Sequence, residues 1–173
     1  MSIVDIAKKI SQAKAVGGGS YIPAGKGRLI VKSLKADKLF AGDTFIAEFY
    51  IDQHTPLTGG ADKTGTTCTF LQQFDKRPQT AFGATKAFLL ALLGQDTATE
   101  AELEDAIVKV VSTDNPCRGM VIAFETYEKP TKDNSKILTL PKWETLQQGT
   151  AQDIAARRSM LDGKDVPAPT ATA

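Results

Sequence analysis

Apolar and polar residues alternate along several short segments of the chain, which is the pattern of β-strands with one buried face. The clearest case is residues 44–52, where Phe45, Phe49 and Ile51 share one face and Tyr50 lies on the other. Applied along the whole chain, this pattern predicts five strands, at residues 28–35, 44–52, 66–74, 120–127 and 136–145.

A helical period interrupts the strands at residues 79–94, where apolar residues recur at the spacing of one helical face. Thr80 can cap the start of this helix, and Gly94 lies where a helix usually ends. Thr99 and Glu102 have the spacing of a capping box, which predicts a second helix directly afterwards. Two further helices are predicted outside the strands, at residues 2–15 and 150–161.

The order of these segments divides the chain into a central body and two extensions. Residues 1–19 form a predicted helical arm with a glycine linker, residues 20–146 the folded domain, and residues 147–173 a closing helix with a flexible tail. The amphipathic first helix has three possible roles: it docks on the body, contacts a second subunit, or touches phosphates.

The composition is that of an ordinary soluble protein, with 42% hydrophobic and 24% charged residues. No apolar run is long enough to cross a bilayer, and the N-terminus lacks a signal-peptide pattern, so we expect a cytoplasmic protein with no membrane partner. The net charge is only +1, yet residues 8–38 carry eight cations against one carboxylate. Residues 95–115 carry six carboxylates against one lysine. Such a division can create a positive face, although solvated surfaces explain it equally well.

Residue types that form catalytic sites are few and dispersed. The single histidine, His54, stands in a polar loop with no partner implied nearby, so we expect it at the solvated surface. Cys68 and Cys117 match no metal-binding spacing; we expect both to be reduced, and a disulfide between them stays open. Lys26 stands between two glycines but lacks the longer loop and the following Ser or Thr of a phosphate-binding loop. The sequence therefore predicts no enzyme, no cofactor and no metal site.

The residue types that bind single-stranded nucleic acid are better represented. Proteins of that class combine cations that follow the phosphate backbone with aromatic rings on which bases stack. Polar sequence neighbours favour exposure of Tyr50, Tyr127 and Trp143, whereas Phe74 fits the core and the surface equally well. The candidate binding residues on the strands and their loops are Lys26, Arg28, Lys32, Lys35, Tyr50, Phe74, Lys76, Arg77, Tyr127, Lys129, Lys142 and Trp143.

The order of three strands, a helix and two strands resembles the OB-fold single-stranded DNA-binding proteins, particularly the compact ones encoded by bacteriophages. The resemblance covers residues 20–146 and rests on the segments GKGRLIVKSLK, AGDTFIAEFYI, TTCTFLQQFDKRP and RGMVIAFETYEKPTKDNSKILTLPKWE, with the helices after the third. It implies an α+β fold that is mainly β. The expected architecture is a five-stranded OB barrel with a two-helix insertion after strand 3 and helical extensions at both ends.

The resemblance also implies a function, which is non-sequence-specific binding of single-stranded DNA in replication, recombination or repair. The contact would use cations and aromatics on strands 2 and 3 and the neighbouring loops. Many such proteins end in an acidic tail that recruits partners, and the tail after Gly163 lacks that character. If the protein is phage-encoded, its location is the host cytoplasm, and its terminal helices could join copies into a homo-oligomer.

Two other functional classes remain open at this point. A virion component or another assembly protein would use the terminal helices to hold neighbouring copies. A small enzyme or nuclease accessory is the third hypothesis, and it lacks visible acid–base groups.

Overall fold

The computed structural model describes residues 2–13, 21–39, 42–96 and 98–163. In chain order the elements are α1 Ile3–Gln12, β1 Gly25–Leu39, β2 Gly42–Pro56, β3 Thr67–Gln73, α2 Pro78–Leu93, α3 Glu100–Val110, β4 Val121–Pro130, β5 Ile137–Thr145 and α4 Ala151–Leu161. Every predicted strand and helix is present, and β1 and β2 are longer than predicted. The glycine linker at residues 17–20, the turn at residues 40–41 and the tail beyond residue 163 lie outside the described residues.

Local capping signals explain most helix ends. The capping box of Thr99 and Glu102 is confirmed at the start of α3, where each side chain accepts a hydrogen bond from the other residue's backbone N–H. Gly94 ends α2 in the left-handed conformation, at φ 61°. The predicted cap at Thr80 is wrong, because α2 starts earlier, with Pro78 in its first turn and Arg77 as an N-cap without a side-chain hydrogen bond.

The five strands form one antiparallel sheet in the order β3-β2-β1-β4-β5. The expected closed barrel is wrong. Closing the cylinder would require a hydrogen-bonded ladder between β3 and β5, and the described residues contain no such ladder. The architecture is therefore α+β, with one open five-stranded sheet and four helices.

Packing of aromatic rings explains why the sheet stays open. Helix α2 contacts both β3 and β5, and its Phe88 lies with its ring centroid 5.5 Å from Phe70 of β3 and 5.0 Å from Trp143 of β5. Phe70 and Trp143 also meet directly, with their centroids 5.3 Å apart. The curled ends of the sheet are thus joined by side chains around a helix, where a closed barrel would use backbone hydrogen bonds.

The N-terminal helix α1 docks on the body of its own chain. Its residues Ile6, Ala7 and Ile10 are buried in the main core, and α1 packs against α3 and α2. The ammonium group of Lys86 donates a hydrogen bond of 2.8 Å to the carbonyl oxygen of Ser11, near the end of α1. Of the three roles left open for this helix, docking on the body is the one that the contacts support.

The two faces of the sheet have different surroundings. Phe49, Phe70 and Ile122 lie on the inner face, which packs against the helical core that includes α1, α2 and α3. We call the opposite side the outer face; its side chains come from alternate residues and include Arg28, Ile30, Lys35, Glu48, Tyr50, Ala123, Glu125, Tyr127 and Lys142.

Helix α4 covers one part of the outer face. At Gly119, which has φ +87°, a Cβ would lie 2.9 Å from the carbonyl oxygen of Ile154, so a residue without a side chain lets α4 approach the start of β4. Arg157 donates hydrogen bonds to the carbonyl oxygens of Gly119 and Gln148, at 2.6 Å each. Arg158 donates to the carbonyl oxygen of Arg118 at 2.6 Å. No side chain of α4 is fully buried, so these hydrogen bonds carry much of its attachment.

Both cysteines are buried as free thiols, as expected. Burial raises the pKa of the Cys68 thiol to about 12 and that of Cys117 to about 11, so both stay protonated and unreactive near neutral pH. Among the described residues, no helix has the length and apolar character that spanning a membrane requires.

Candidate nucleic-acid interface

A β-bulge in β1 gathers all four of its predicted binding cations on the outer face. The pairing of β1 with β2 shifts between Val31 and Ser33, which makes Lys32 an extra residue opposite Glu48. Strict alternation would turn Lys35 to the inner face, but the bulge restores it to the outer face beside Ile46. The sheet therefore presents a longer row of cations than alternation alone predicts: Lys26, Arg28, Lys32 and Lys35.

Arg28 is held by a carboxylate of the neighbouring strand. Its Nε donates a hydrogen bond of 2.6 Å to Oδ2 of Asp52, and a second guanidinium nitrogen contacts the same oxygen. Arg157 of α4 stands close to this pair: burial is the main cause that lowers the pKa of Arg157, and the charges of Arg28 and Asp52 act on it as well. The side chain of Arg28 remains 43% exposed, so it can still reach a ligand.

A second carboxylate neutralises the other end of the row. The Oε2 atom of Glu48 accepts a hydrogen bond of 2.6 Å from the Ser33 hydroxyl and lies 3.6 Å from the ammonium group of Lys35. The hydrogen bond from Ser33, followed by the charges of Lys35 and Lys32, lowers the pKa of the Glu48 carboxyl, so it is ionised at neutral pH. Glu48 thus offsets one of the two positive charges that Lys32 and Lys35 bring to this part of the face.

The strand register brings three charged residues together nearer the hairpin of β4 and β5. Lys26 of β1 is paired with Glu125 of β4, which is paired in turn with Lys142 of β5, and all three side chains are exposed. Lys129 lies further along β4 and is exposed as well. For Lys26, Lys129 and Lys142, no salt bridge is found within the described part of the chain.

Two tyrosines lie on the outer face, on opposite sides of Arg28, Lys26 and Lys142. Tyr50 lies on the outer face of β2 and is half-buried, while Tyr127 of β4 is 41% exposed. From the register, the two Cα atoms are separated by about six residues along the strands and two strands across, which is about 20 Å. The face between them carries Arg28, Lys26 and Lys142.

A fixed turn ends the hairpin that carries Tyr127. Asp133 accepts hydrogen bonds from the hydroxyl of Thr131 at 2.6 Å and from the hydroxyl and backbone N–H of Ser135 at 2.8 and 3.1 Å. These bonds, led by that of Thr131, lower the pKa of the Asp133 carboxyl to about 2. Next to this turn Ile137 is exposed and apolar.

Several predicted residues do not join this surface. Phe74 is only 2% exposed and stacks on Phe82, with centroids 4.2 Å apart, so its ring is not accessible to a base. Trp143 is half-buried on the inner face among the rings of the core. Lys76 and Arg77 are exposed where the chain enters α2, beyond the end of β3 and away from the hairpin.

The expectation that His54 is a surface residue is wrong. Its ring is buried, with the residue 8% exposed, and it stacks on Phe124. Nδ1 accepts a hydrogen bond of 3.0 Å from the N–H of Lys63, so Nε2 carries the proton that is shared with the carbonyl oxygen of Ala24, also at 3.0 Å. His54 thus fastens the loop after β2 to the chain entering β1, which is a structural role.

The sequence reasoning missed Tyr21, which is 75% exposed and the most exposed of the large apolar and aromatic residues that the structure describes. Tyr21 lies outside any alternating segment of the sequence, so the strand pattern could not identify it. The structure identifies it by its position beside β3.

Within the described residues, no group of three or more His, Cys, Asp or Glu side chains could hold a metal ion. Comparison with models of protein families finds no match for the chain, and comparison with curated protein sequences finds none either.

Proposed function

We propose that this protein binds single-stranded DNA, without sequence preference, on the outer face of its sheet. The observation that supports this best is that the helical core leaves most of this face uncovered, and that eight of the predicted residues share it: Lys26, Arg28, Lys32, Lys35, Tyr50, Tyr127, Lys129 and Lys142. Cations for phosphates and rings for bases are the two components of a single-strand site.

The charge arrangement predicts moderate electrostatic attraction. Asp52 and Glu48 already neutralise Arg28 and Lys35, so a phosphate that approaches these cations competes with a carboxylate. The cations that release counterions most completely when a phosphate binds are Lys26, Lys129 and Lys142. With about three such contacts, the logarithm of the binding constant falls with the logarithm of salt concentration at a slope of about −2.

Stacking supplies the other part of the binding free energy. A tyrosine ring that stacks on a base contributes about 1–3 kcal/mol, and the contact tolerates every base because each base has a π-face. Tyr50 and Tyr127 are too far apart to hold the same base, so they are expected to bind separate nucleotides of one strand. This arrangement accounts for binding without sequence preference.

Fluorescence anisotropy with a fluorescein-labelled twelve-nucleotide oligo(dT) tests the proposal. We expect binding at low salt that weakens with the predicted slope as salt rises. Tyr50→Ala and Tyr127→Ala should each weaken binding about 5- to 100-fold, and Tyr127→Phe should keep most of the affinity. Lys26→Ala should make the salt dependence shallower by about 0.7.

Lys109→Ala is the matched control for charge, because Lys109 is an exposed lysine of α3, away from the outer face. It should leave both affinity and slope unchanged. No binding at low salt, or equal losses for Lys109→Ala and Lys26→Ala, would contradict the proposal.

The alternative role as an assembly protein receives less support. The apolar side of α1 would have to be free to hold a neighbouring copy, and Ile6, Ala7 and Ile10 are buried against their own chain. Light scattering without DNA separates the two proposals, because an assembly protein forms large particles on its own.

A further inference from the structure

The chain entering β1 runs along the free edge of β3 and carries an exposed aromatic ring. The backbone N–H of Tyr21 donates a hydrogen bond of 3.1 Å to the carbonyl oxygen of Thr69. The next residue, Ile22, is 6% exposed and belongs to the main core. The residue Tyr21 is 75% exposed, so its ring lies outside the core.

Tyr50 approaches the same strand from the other side. Tyr50 of β2 is paired with Thr67 of β3, and a Cβ on Gly65 would lie 3.8 Å from the Tyr50 hydroxyl oxygen. Since Gly65 lies just before β3, the ring of Tyr50 leans over the start of that strand.

The two tyrosines therefore flank β3 with two threonines between them. Tyr21 lies beyond one edge of β3, level with Thr69, and Tyr50 lies on the strand at its other edge, level with Thr67, so the backbones that carry them are about 12 Å apart. A flat base between two rings needs them about 7–8 Å apart. The Tyr50 hydroxyl lies near Gly65, on the side away from Tyr21, so each ring is placed to stack on a separate base. Thr67 and Thr69 point to the outer face in this interval and offer hydroxyl groups.

We propose that Tyr21 and Tyr50 form a subsite across β3 on which two separate bases of the bound strand stack, one on each ring. This inference depends on the proposed function and extends it, because it adds a residue outside the β-strands to the interface. The threonine hydroxyls donate or accept hydrogen bonds according to the base, which keeps the subsite tolerant of sequence. The segment before β1 thus has a binding role besides covering the edge of β3.

Three variants and two ligands test the subsite in the full chain. The ligands are the labelled twelve-nucleotide oligo(dT) and the same oligomer without bases. Tyr21→Ala should weaken binding of oligo(dT) about 5- to 100-fold, and Tyr21→Phe should stay within about threefold of the unaltered protein. Val4→Ala is the control, since it removes an exposed apolar side chain from α1, away from the sheet, and should change nothing.

The abasic oligomer separates stacking from a structural effect. If Tyr21 stacks on a base, the unaltered protein and Tyr21→Ala should bind the abasic oligomer equally. Thermal unfolding should give midpoints within about 2 °C, because the side chain is exposed. Equal binding of oligo(dT) by Tyr21→Ala and the unaltered protein would overturn the subsite, and so would a loss of equal size with both ligands.

The failures of the two proposals differ. If the unaltered protein does not bind oligo(dT), the proposed function fails and the subsite fails with it. If the unaltered protein binds and Tyr50→Ala weakens binding while Tyr21→Ala does not, only the two-tyrosine subsite is overturned.

Discussion

The ring of Phe88 holds the two curled ends of the sheet together, and its removal should be costly. Phe88 is fully buried, and its centroid lies within 6.0 Å of the rings of Phe45, Phe49, Phe70 and Trp143. Phe88→Ala therefore leaves a cavity in the middle of the aromatic cluster. Substitutions of this kind lower the free energy of unfolding by about 3–5 kcal/mol, and the four lost ring contacts favour the upper part of that range.

The assay is a urea titration followed by tryptophan fluorescence. The chain has a single tryptophan, Trp143, and its ring centroid is 5.0 Å from that of Phe88, so its emission reports on the packing that the substitution disturbs. Domains of this size have a free energy of unfolding of about 5–15 kcal/mol, so Phe88→Ala should remain measurable but weakly folded. Phe88→Leu keeps part of the volume and should lose only about 1–2 kcal/mol.

Ile137→Ala is the control, because Ile137 is 66% exposed and its loss should change the free energy of unfolding by less than about 0.5 kcal/mol. If Phe88→Ala lowers the free energy of unfolding by less than about 1 kcal/mol, or leaves the tryptophan emission of the folded protein unchanged, the rings do not join β3 to β5 in the way described.

Three more predictions concern the attachment of single elements. Gly119→Ala should lower the free energy of unfolding by about 1–2 kcal/mol and speed proteolysis within α4, because φ of Gly119 is +87° and the added Cβ would clash with Ile154. Gly163→Ala is the control for the clash, because no atom lies within 4 Å of the Cβ position at Gly163. Thr126→Val should lower the free energy of unfolding, measured by urea titration, by about 1–3 kcal/mol. The Thr126 hydroxyl accepts a hydrogen bond of 2.8 Å from the N–H of Gly25 and donates one of 3.1 Å to its carbonyl oxygen, and valine removes both. The pKa of the Asp133 carboxyl, about 2, lies below its ordinary value, so its stabilisation of the hairpin turn is present above about pH 4 and is lost as the pH falls towards 2. The amide NMR shifts of the turn should follow this titration, and Asp133→Asn should abolish the pH dependence.

Features that depend on neighbouring residues could be predicted from the sequence. The capping box of Thr99 and Glu102 and the glycine cap at Gly94 involve contacts only a few residues apart, so the sequence contains the whole signal. The outward position of Tyr50 followed from strict alternation along β2. These signals sufficed for the number and order of helices and strands.

Features that depend on distant partners could not be predicted in this way. Alternation favoured exposure of Trp143, but β5 has apolar residues in both of its alternating sets, such as Leu140 in one and Ile137 in the other, and Trp143 packs against the core. His54 is buried because the carbonyl oxygen of Ala24, thirty residues earlier in the chain, satisfies its Nε2–H. The contact between the two edge strands likewise depends on α2, whose Phe88 lies against Phe70 of β3 and Trp143 of β5.

If the outer face binds DNA as we propose, the position of α4 would limit the part of that face that a strand follows. Arg157 and Arg158 fix α4 against the residues that precede β4, and Arg157 stands close to the pair of Arg28 and Asp52. A bound strand would therefore not run straight across the middle of the sheet at Ile30, whose side chain is buried. We propose a diagonal route, from the edge of β3 past Tyr50 towards the hairpin of β4 and β5.

That route combines the two kinds of contact in an order set by the fold. Near β3 it passes Tyr21 and Tyr50, where the neighbouring cations are neutralised by Glu48 and Asp52, so stacking should dominate there. Near the hairpin it passes Lys26, Lys142 and Lys129, for which the described residues provide no salt bridge, so phosphate contacts should dominate there. Tyrosine substitutions at the β3 end should accordingly leave the salt dependence of binding unchanged, whereas lysine substitutions at the hairpin end should reduce it.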